Sequence, residues 1–197
     1  MSELKRHRWM TGACIAVVLM LTTACAGPWK TVPDNLGAHR WSITAPQGWM
    51  HLSMPDSEML SKNGPYLEFI MIQSQPLTKG FRFTKQELNL DMLPHEAAEL
   101  IIDNLRSDPH IRNFQLLASE PEIIGGRSGF KLTYSYRDQH GVVLKTIYCG
   151  VLLPDQFFNI RYTAAQRYYF DTELPTFTNV LGSLQLGSGL IYGQTGP

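Results

Sequence analysis

The clearest strand pattern in the chain is SGFKLTYSYR, residues Ser128–Arg137. Phenylalanine, leucine and two tyrosines occupy every second position, and lysine, threonine, serine and arginine lie between them. Because successive side chains of a β-strand point to opposite faces, this alternation predicts a strand with one apolar face and one wet face. Such a strand is typical of an antiparallel sheet that packs on a core with one side only.

Three further strand candidates lie beside this segment. Phe114–Ser119 precedes it, and Val142–Leu153 and Phe157–Thr163 follow it. Turn-forming residues at Asp138–Gly141 and Pro154–Asp155 separate the last three strands. The four strands are therefore expected to form a meander.

Shorter strand signals lie in the first half of the chain. Arg40–Thr44 is one candidate, and Pro46–Trp49 turns the chain towards a second. Asn63–Pro65 is a turn signal ahead of the β-rich run Tyr66–Ile72. These segments add strands to the expected sheet.

Two amphipathic helices are predicted from the spacing of apolar residues. The first begins at Pro94, which suits a first helical turn, and ends at Ser107–Pro109. Its apolar residues share one broad face: Ala97, Ala98, Leu100, Ile101, Ile102 and Leu105. Those of the second recur at spacings of three and four: Phe170, Leu174, Phe177, Leu181 and Leu184. Asp171 is expected as the N-cap of this second helix, with Pro175 in its first turn.

The order of these elements predicts an α+β fold, an antiparallel sheet flanked by helices. A single domain is expected over residues 38–186. Residues 25–37 are expected to be a tether, since 26–37 hold two prolines and two glycines without periodicity. Residues 187–197 hold four glycines and no charge, and a flexible tail is expected there.

Three weak motifs occur in order along this domain. They are Pro46-x-Gly48-Trp49, Ile124-x-Gly126-x-x-Gly129 and Phe177-x-x-Val180-x-x-Ser183. This ordered set resembles the PsbP-like fold, an α/β/α sandwich, over about residues 38–186. The resemblance implies a scaffold that commonly serves binding and assembly, and it supplies no catalytic residues. A shared fold does not carry a function with it.

Residues 1–24 have the three-part layout of a secretory signal peptide. A basic start at Lys5–Arg8 is followed by the apolar stretch Ala13–Leu21 and by the small-residue run Thr22–Ala24. Since about 20 apolar residues are needed to cross a bilayer, this stretch is too short for a permanent transmembrane helix.

Cys25 follows the signal directly. An apolar core that ends in small residues and a cysteine resembles the lipobox of bacterial lipoproteins, although Thr22 stands where that family prefers leucine. The resemblance implies that Cys25 carries a lipid of the palmitate type and that the protein lies in the cell envelope, outside the cytoplasm. Ala26 implies an outer membrane, facing the periplasm, if the source has one. Two or more acyl chains would hold the protein at the membrane stably.

The alternative is an ordinary signal peptide that is cut near Ala24 or Gly27. Cys14 is not a competing lipidation site, because the charged start of the chain lies directly before it with no apolar segment between.

Charge and composition exclude several classes of protein. The chain has 197 residues, 44% of them hydrophobic, with 17 basic and 17 acidic side chains, so disorder is disfavoured. Removal of residues 1–24 leaves 14 basic and 16 acidic side chains, a net charge of −2. A nucleic-acid partner is therefore not expected, since its phosphates call for a basic surface.

No catalytic, metal or cofactor site is predicted. Cys149 shares a strand face with Ile147 and Val151 and has no basic neighbour on its own strand face, so a buried and inert thiol is expected. Gly126–Phe130 lacks the final glycine of a nucleophile elbow, and its glycines favour positive φ in a tight turn. No histidine of the processed chain stands at a metal-ligand spacing: His39, His51, His95, His110 and His140. Two carboxylate pairs are expected to lie in water: Glu96 with Glu99, and Glu120 with Glu122.

Tyr168 and Tyr169 are the candidate partner-binding residues. They are adjacent, just before the last helix, so at least one side chain is expected to point away from the core face that Phe170 uses. An exposed tyrosine at such a junction suits a protein interface.

The expected function is that of a noncatalytic, membrane-anchored envelope lipoprotein that binds a protein partner or a small ligand. One alternative is an extracytoplasmic enzyme of hydrolase type, which a histidine and a carboxylate converging in a deep pocket would favour. Another is a redox-linked protein that uses Cys149.

Overall fold

The computed structural model describes residues 29–38 and 40–187. Eleven strands and two helices are present in these ranges. The strands are β1 (Lys30–Thr31), β2 (Asn35–Ala38), β3 (Trp41–Thr44), β4 (Met50–Met54), β5 (Ser57–Ser61), β6 (Glu68–Pro76), β7 (Arg112–Ile124), β8 (Arg127–Arg137), β9 (Val143–Leu153), β10 (Gln156–Ala165) and β11 (Gln185–Leu186). The helices are α1 (Pro94–Arg106) and α2 (Tyr169–Gly182).

Eight strands form one antiparallel sheet in the order β1-β4-β5-β6-β10-β9-β8-β7. The expected meander is its second half, since β7 to β10 pair in chain order. Strand β6 then pairs with β10, which brings the first half of the chain beside the meander. The predicted α+β fold with an antiparallel sheet and helices is confirmed.

A smaller sheet of three strands, β11-β3-β2, was not predicted from the sequence. Strand β2 and the short β1 both fall within residues 25–37, the segment expected to be a tether. Strand β2 pairs with β3, and β1 pairs with β4. Residues 26–37 show no alternation of apolar and polar side chains, so their sequence did not indicate these two strands. The part of the expected tether that lies between Cys25 and the first strand is therefore only residues 26–29.

Helix α1 covers one face of the large sheet. Its buried residues pack against apolar side chains of β8, β9 and β10, and Phe130 stacks with both Tyr148 and Phe157 at centroid separations of 6.2 Å. The apolar face of β8 predicted by its alternation is buried here. Its other face is only partly wet, because Ser135 is 8% exposed.

Helix α2 and the small sheet cover the opposite face. Phe170, Phe177 and Val180 from the helix meet Trp41 and Ile43 from the small sheet over the buried side chains of the large sheet. The molecule thus has three layers, α1, the large sheet, and α2 with the small sheet. Both faces of β9 and β10 are buried as a result.

The residues that carry the resemblance have structural roles in these layers. Trp49 is 3% exposed and lies in the core beneath α2, as do Phe177 and Val180. The hydroxyl of Ser183 accepts a hydrogen bond from the backbone N–H of Thr44 at 3.0 Å and so joins the end of α2 to the small sheet.

The start of α2 differs from the expectation. Tyr168, and not Asp171, is the N-cap residue; Asp171 lies within the first turn, and Pro175 lies inside the helix. Tyr168 has φ 80° and ψ −61°, and the N–H of Tyr169 donates to the carbonyl of Arg167 at 3.2 Å. This is a γ-turn of the rare and strained form. The turn starts the helix three residues earlier than a side-chain cap at Asp171 would.

The β7–β8 hairpin explains two of the glycines near the motif. Gly125 and Gly126 have φ values of 54° and 79°, so this two-residue turn needs residues that tolerate a positive φ. Gly129 differs from the expectation, since its backbone is not in that region. A side chain there would lie 2.4 Å from the carbonyl oxygen of Gly150, and close strand packing is what requires glycine. Pro121 is tolerated because β7 is an edge strand.

Among the described residues, neither helix is long and apolar enough to cross a bilayer. The signal peptide, Cys25, His39 and most of the tail fall outside the described residues.

Candidate ligand-binding cavity

Arg161 interrupts an otherwise buried strand. Its neighbours in β10, Ile160 and Tyr162, are fully buried on the α2 side of the sheet. The alternation of β10 therefore turns Arg161 to the α1 side, between Met71 of β6 and Tyr148 of β9.

The guanidinium of Arg161 has few partners. One terminal nitrogen, Nη2, donates to the thioether sulfur of Met71 at 2.8 Å, which is a weak acceptor. The Nε atom is buried and has no hydrogen-bond partner. No carboxylate of the described residues forms an ion pair with Arg161, although seven such pairs occur elsewhere in them. A half-buried cation without an ion-pair partner is costly, so Arg161 is an unusual residue at this place.

A cavity of about 510 Å³ opens over Arg161. This is within the ~300–1,000 Å³ that is usual for small-molecule sites. It lies between the end of α1, the turn after β8 and the sheet itself. Its lining includes Phe69, Leu105, Ile111, Tyr134, Tyr136 and Arg161.

Three tyrosines lie near enough to Arg161 for its charge to affect their pKa values. Burial raises the pKa of Tyr134, Tyr136 and Tyr148 above that of a free tyrosine, and the Arg161 charge opposes the rise for each of them. These tyrosines therefore stay neutral at physiological pH and can donate O–H hydrogen bonds. A cation beside neutral hydroxyl donors is suited to hold an oxyanion.

Two histidines and two carboxylates also line this cavity. Oδ1 of Asp108 accepts the backbone N–H of His110 at 2.9 Å, and Oδ1 of Asp138 accepts the backbone N–H of His140 at 2.9 Å. Their carboxylates are thus engaged in turns. No imidazole of His110 or His140 forms an ion pair with a carboxylate in the described part of the chain. The cavity has the residue types of an acid–base pair, but the side chains do not contact each other.

The two candidate partner-binding tyrosines differ in exposure. Tyr168 is 70% exposed, whereas Tyr169 is half-buried and packs against the core cluster beneath α2. Their rings meet edge to face at a centroid separation of 5.2 Å. The Tyr162 hydroxyl holds the backbone behind them, donating to the carbonyls of Tyr169 and Phe170 at 2.9 and 3.0 Å.

Cys149 is fully buried beside Val151 in the core beneath α2. Burial, assisted by the negative charge of Glu122, raises the pKa of the Cys149 thiol to about 12. Lys131, which lies opposite Cys149 on β8, lowers this pKa, but its effect is smaller than that of burial. This basic neighbour comes from another strand, so the sequence of β9 did not reveal it. A shielded, protonated thiol is a poor nucleophile, and this disfavours the redox alternative.

The other carboxylate pairs have structural partners. Lys131 contacts both Glu120 and Glu122, at 3.2 and 3.1 Å. Glu96 accepts the backbone N–H of Leu93 and caps α1, while Glu99 is exposed. In the described ranges, no three histidine, cysteine or acidic side chains come close enough to hold a metal ion.

Arg161 and the cavity over it were missed by sequence reasoning. The only available signal was a charged residue inside the apolar run FFNIRYT, residues 157–163. The sequence placed Tyr134 and Tyr136 on a strand face only. They line the same cavity as Arg161 because β8 and β10 both pair with β9, which the sequence of β8 does not show.

The layers and strand order define a PsbP-like α+β fold. Cyanobacterial PsbP (CyanoP) from Synechocystis sp. PCC 6803 is similar, with a TM-score of 0.57 and 11% identity over 84% of this chain and 98% of that chain. PA94, a Pseudomonas aeruginosa protein of unknown function, has a TM-score of 0.51 and 13% identity, over 80% of this chain and 90% of that chain. The Saccharomyces cerevisiae Ran-binding protein Mog1p has a TM-score of 0.50 and 9% identity, over 80% of this chain and 96% of that chain. At such identities the similarity establishes the fold alone.

No protein-family model and no curated protein matches the sequence.

Proposed function

We propose that this protein is a lipid-anchored protein of the cell envelope that binds a small ligand without transforming it, in the cavity over Arg161. The observation that carries the proposal is the half-buried guanidinium at this cavity, which forms no ion pair with any of the described residues. Structural neighbours that are named for binding, such as the Ran-binding Mog1p, are consistent with a scaffold that binds.

Lipidation at Cys25 is the second part of the proposal. The first strand, β1, begins at Lys30, so five residue steps separate its first Cα atom from that of Cys25. Such a segment spans at most roughly 17 Å when fully extended. A lipid on Cys25 would therefore hold the domain close to the membrane surface.

Ligand binding is tested by what co-purifies with the protein from its own envelope. We expect mass spectrometry of an extract of the purified protein to reveal a small molecule. That molecule should be lost from Ile111→Trp, because the larger side chain enters the cavity that Ile111 lines. Leu117→Trp is the matched control, since Leu117 is exposed and lies outside this cavity. Identical extracts from the native protein and Ile111→Trp would contradict binding in this cavity.

Anchoring is tested by Cys25→Ala. We expect the native chain to partition with membranes and to incorporate labelled palmitate, and the variant to lose both properties. Cys14→Ala is the control, because Cys14 lies within the signal segment and should leave both properties unchanged. Unchanged partitioning and labelling of Cys25→Ala would show that the anchor lies elsewhere.

A protein partner is proposed for the patch formed by Tyr168 and Tyr169. Its support is the exposed ring of Tyr168, held by a strained backbone beside a half-buried neighbour. Strain of this kind costs about 1–3 kcal/mol, and it is found most often where function requires a particular placement.

An extracytoplasmic hydrolase is the alternative function. The presence of His110 and His140 with Asp108 and Asp138 in one cavity lining favours it. The absence of contact between these imidazoles and carboxylates in the described structure counts against it, because a general base needs an orienting partner.

A further inference from the structure

We propose that the ligand of this cavity carries an oxyanion, a carboxylate or a phosphate monoester, which binds Arg161 while its apolar body lies against the surrounding rings. This inference rests on the proposed function and names the chemical class of its ligand.

The oxyanion is required by the donors that converge at this point. The Nε–H of Arg161 is buried and aimed at no acceptor, and Nη2 is spent on a thioether sulfur. An incoming oxyanion in the cavity would accept hydrogen bonds from the terminal nitrogens of the Arg161 guanidinium, which are charged donors suited to a carboxylate or a phosphate. Tyr134 and Tyr136 line the same cavity, and each carries a hydroxyl group that can donate a hydrogen bond.

The two acidic side chains of the lining, Asp108 and Asp138, do not pair with Arg161. Neither Asp108 nor Asp138 forms an ion pair with Arg161 within 4.0 Å. Oδ1 of Asp138 accepts two backbone N–H groups of its own turn, those of His140 and Val142, at 2.9 and 2.8 Å. The loop that carries Asp138 is thus built around its carboxylate, which is not free to turn towards the guanidinium without breaking both bonds.

An apolar body is required by the rest of the wall. Phe69, Leu105 and Ile111 contribute hydrocarbon surface to the lining, together with the tyrosine rings. A bare inorganic anion would fill little of the 510 Å³ available and would leave that surface in water. An aromatic or short-chain acid would satisfy both parts of the cavity.

The test uses three probes of one shape, benzoate, phenyl phosphate and the neutral benzamide, with purified ¹⁵N-labelled protein. The readout is the NMR resonance of the Arg161 Nε–H, together with the backbone amides of the lining. We expect benzoate or phenyl phosphate, or both, to shift the Nε–H resonance in a saturable way, and benzamide to bind at least tenfold more weakly. The ratio of the affinities of the two acids identifies which oxyanion the site prefers.

Two variants accompany the probes. Arg161→Met keeps an unbranched, flexible side chain, although a shorter one, and removes the charge; it should weaken binding of the acids at least tenfold while leaving benzamide unchanged. Arg127→Met removes an exposed arginine at the far end of β8 and should have no effect. Thermal melting and the amide spectrum establish that both variants are folded.

The outcomes separate this inference from the proposed function. Equal binding of benzoate and benzamide, unaffected by Arg161→Met, overturns the oxyanion while ligand binding in the cavity stands. Failure of every probe to perturb the lining overturns the oxyanion inference as stated, and loss of the co-purifying molecule in Ile111→Trp then decides the proposed function independently.

Discussion

Phe177→Ala is expected to destabilise the protein by about 3–5 kcal/mol, the range typical of a buried phenylalanine truncated in a well-packed core. Phe177 is 1% exposed, and its ring stacks on that of Tyr162 at a centroid separation of 5.4 Å. Tyr162 in turn holds the first turn of α2 through its hydroxyl, so the cavity would open where helix and sheet are joined. Denaturant unfolding measures the loss, and the melting temperature should fall by roughly 6–20 °C.

Thr178→Ala is the matched control on the same helix. Thr178 is exposed, and its hydroxyl donates only to the carbonyl of Leu174 within α2 at 3.0 Å. Its removal should change the unfolding free energy by less than about 0.5 kcal/mol. A loss below about 1 kcal/mol for Phe177→Ala would contradict the packing of α2 on the large sheet.

Glu68→Ala is expected to cost about 2–4 kcal/mol of unfolding free energy. Glu68 is fully buried, and its Oε1 accepts the backbone N–H groups of Lys62 and Asn63 at 3.0 and 2.6 Å. Hydrogen bonds to a charged acceptor contribute about 1.5–3 kcal/mol each, and water that reaches this exposed turn recovers part of that loss. The same turn also uses the backbone of Glu68, whose carbonyl accepts the Ser61 hydroxyl at 2.8 Å.

Glu68→Gln separates the acceptor from the charge. The amide keeps an oxygen for both N–H groups, so we expect it to cost about 1 kcal/mol, clearly less than the alanine variant. Glu99→Ala, on the exposed face of α1, should be nearly neutral. Equal losses for Glu68→Gln and Glu68→Ala would mean that charge, and not the two hydrogen bonds, is what the turn requires.

The sequence predicted the second half of the fold better than the first. Strand β8 differs from its predicted bounds by one residue, because a long strict alternation leaves no other regular structure to compete. Strand β5 was missed, since its five residues show no alternation of their own and pair with β4 and β6 only in the folded chain. Strand β7 is longer than predicted because the whole edge of β8 is available to it.

The start of α2 shows why caps are harder to predict than helices. Apolar spacing placed the helix correctly, but the Asp171 cap was wrong because the preceding γ-turn at Tyr168 sets the entry angle of the chain. That turn is held by the Tyr162 hydroxyl, a contact from a different element. Local sequence could not report it.

The candidate cavity lay beyond sequence reasoning for a similar reason. Arg161, Tyr134 and Met71 come from three strands, and residues 71 and 161 are neighbours only because β6 joins the meander through β10. Each residue alone had an ordinary interpretation. Only the strand order brings them together as a cation that has no ion-pair partner and lies near tyrosine side chains.

The sequence by itself determined the kind of molecule: an α+β fold built on alternating strands and two amphipathic helices, with an export signal and Cys25 ahead of it as predictions. These features depend on periodicity and on short contiguous patterns, which the chain carries locally. Only the tertiary structure decided where a charge is left without a partner and which surfaces enclose it. Burial and pairing depend on residues that are far apart in the chain. The alternation of Ser128–Arg137 therefore predicted a strand of a sheet, but it did not show that Tyr134 and Tyr136 would line a cavity beside Arg161.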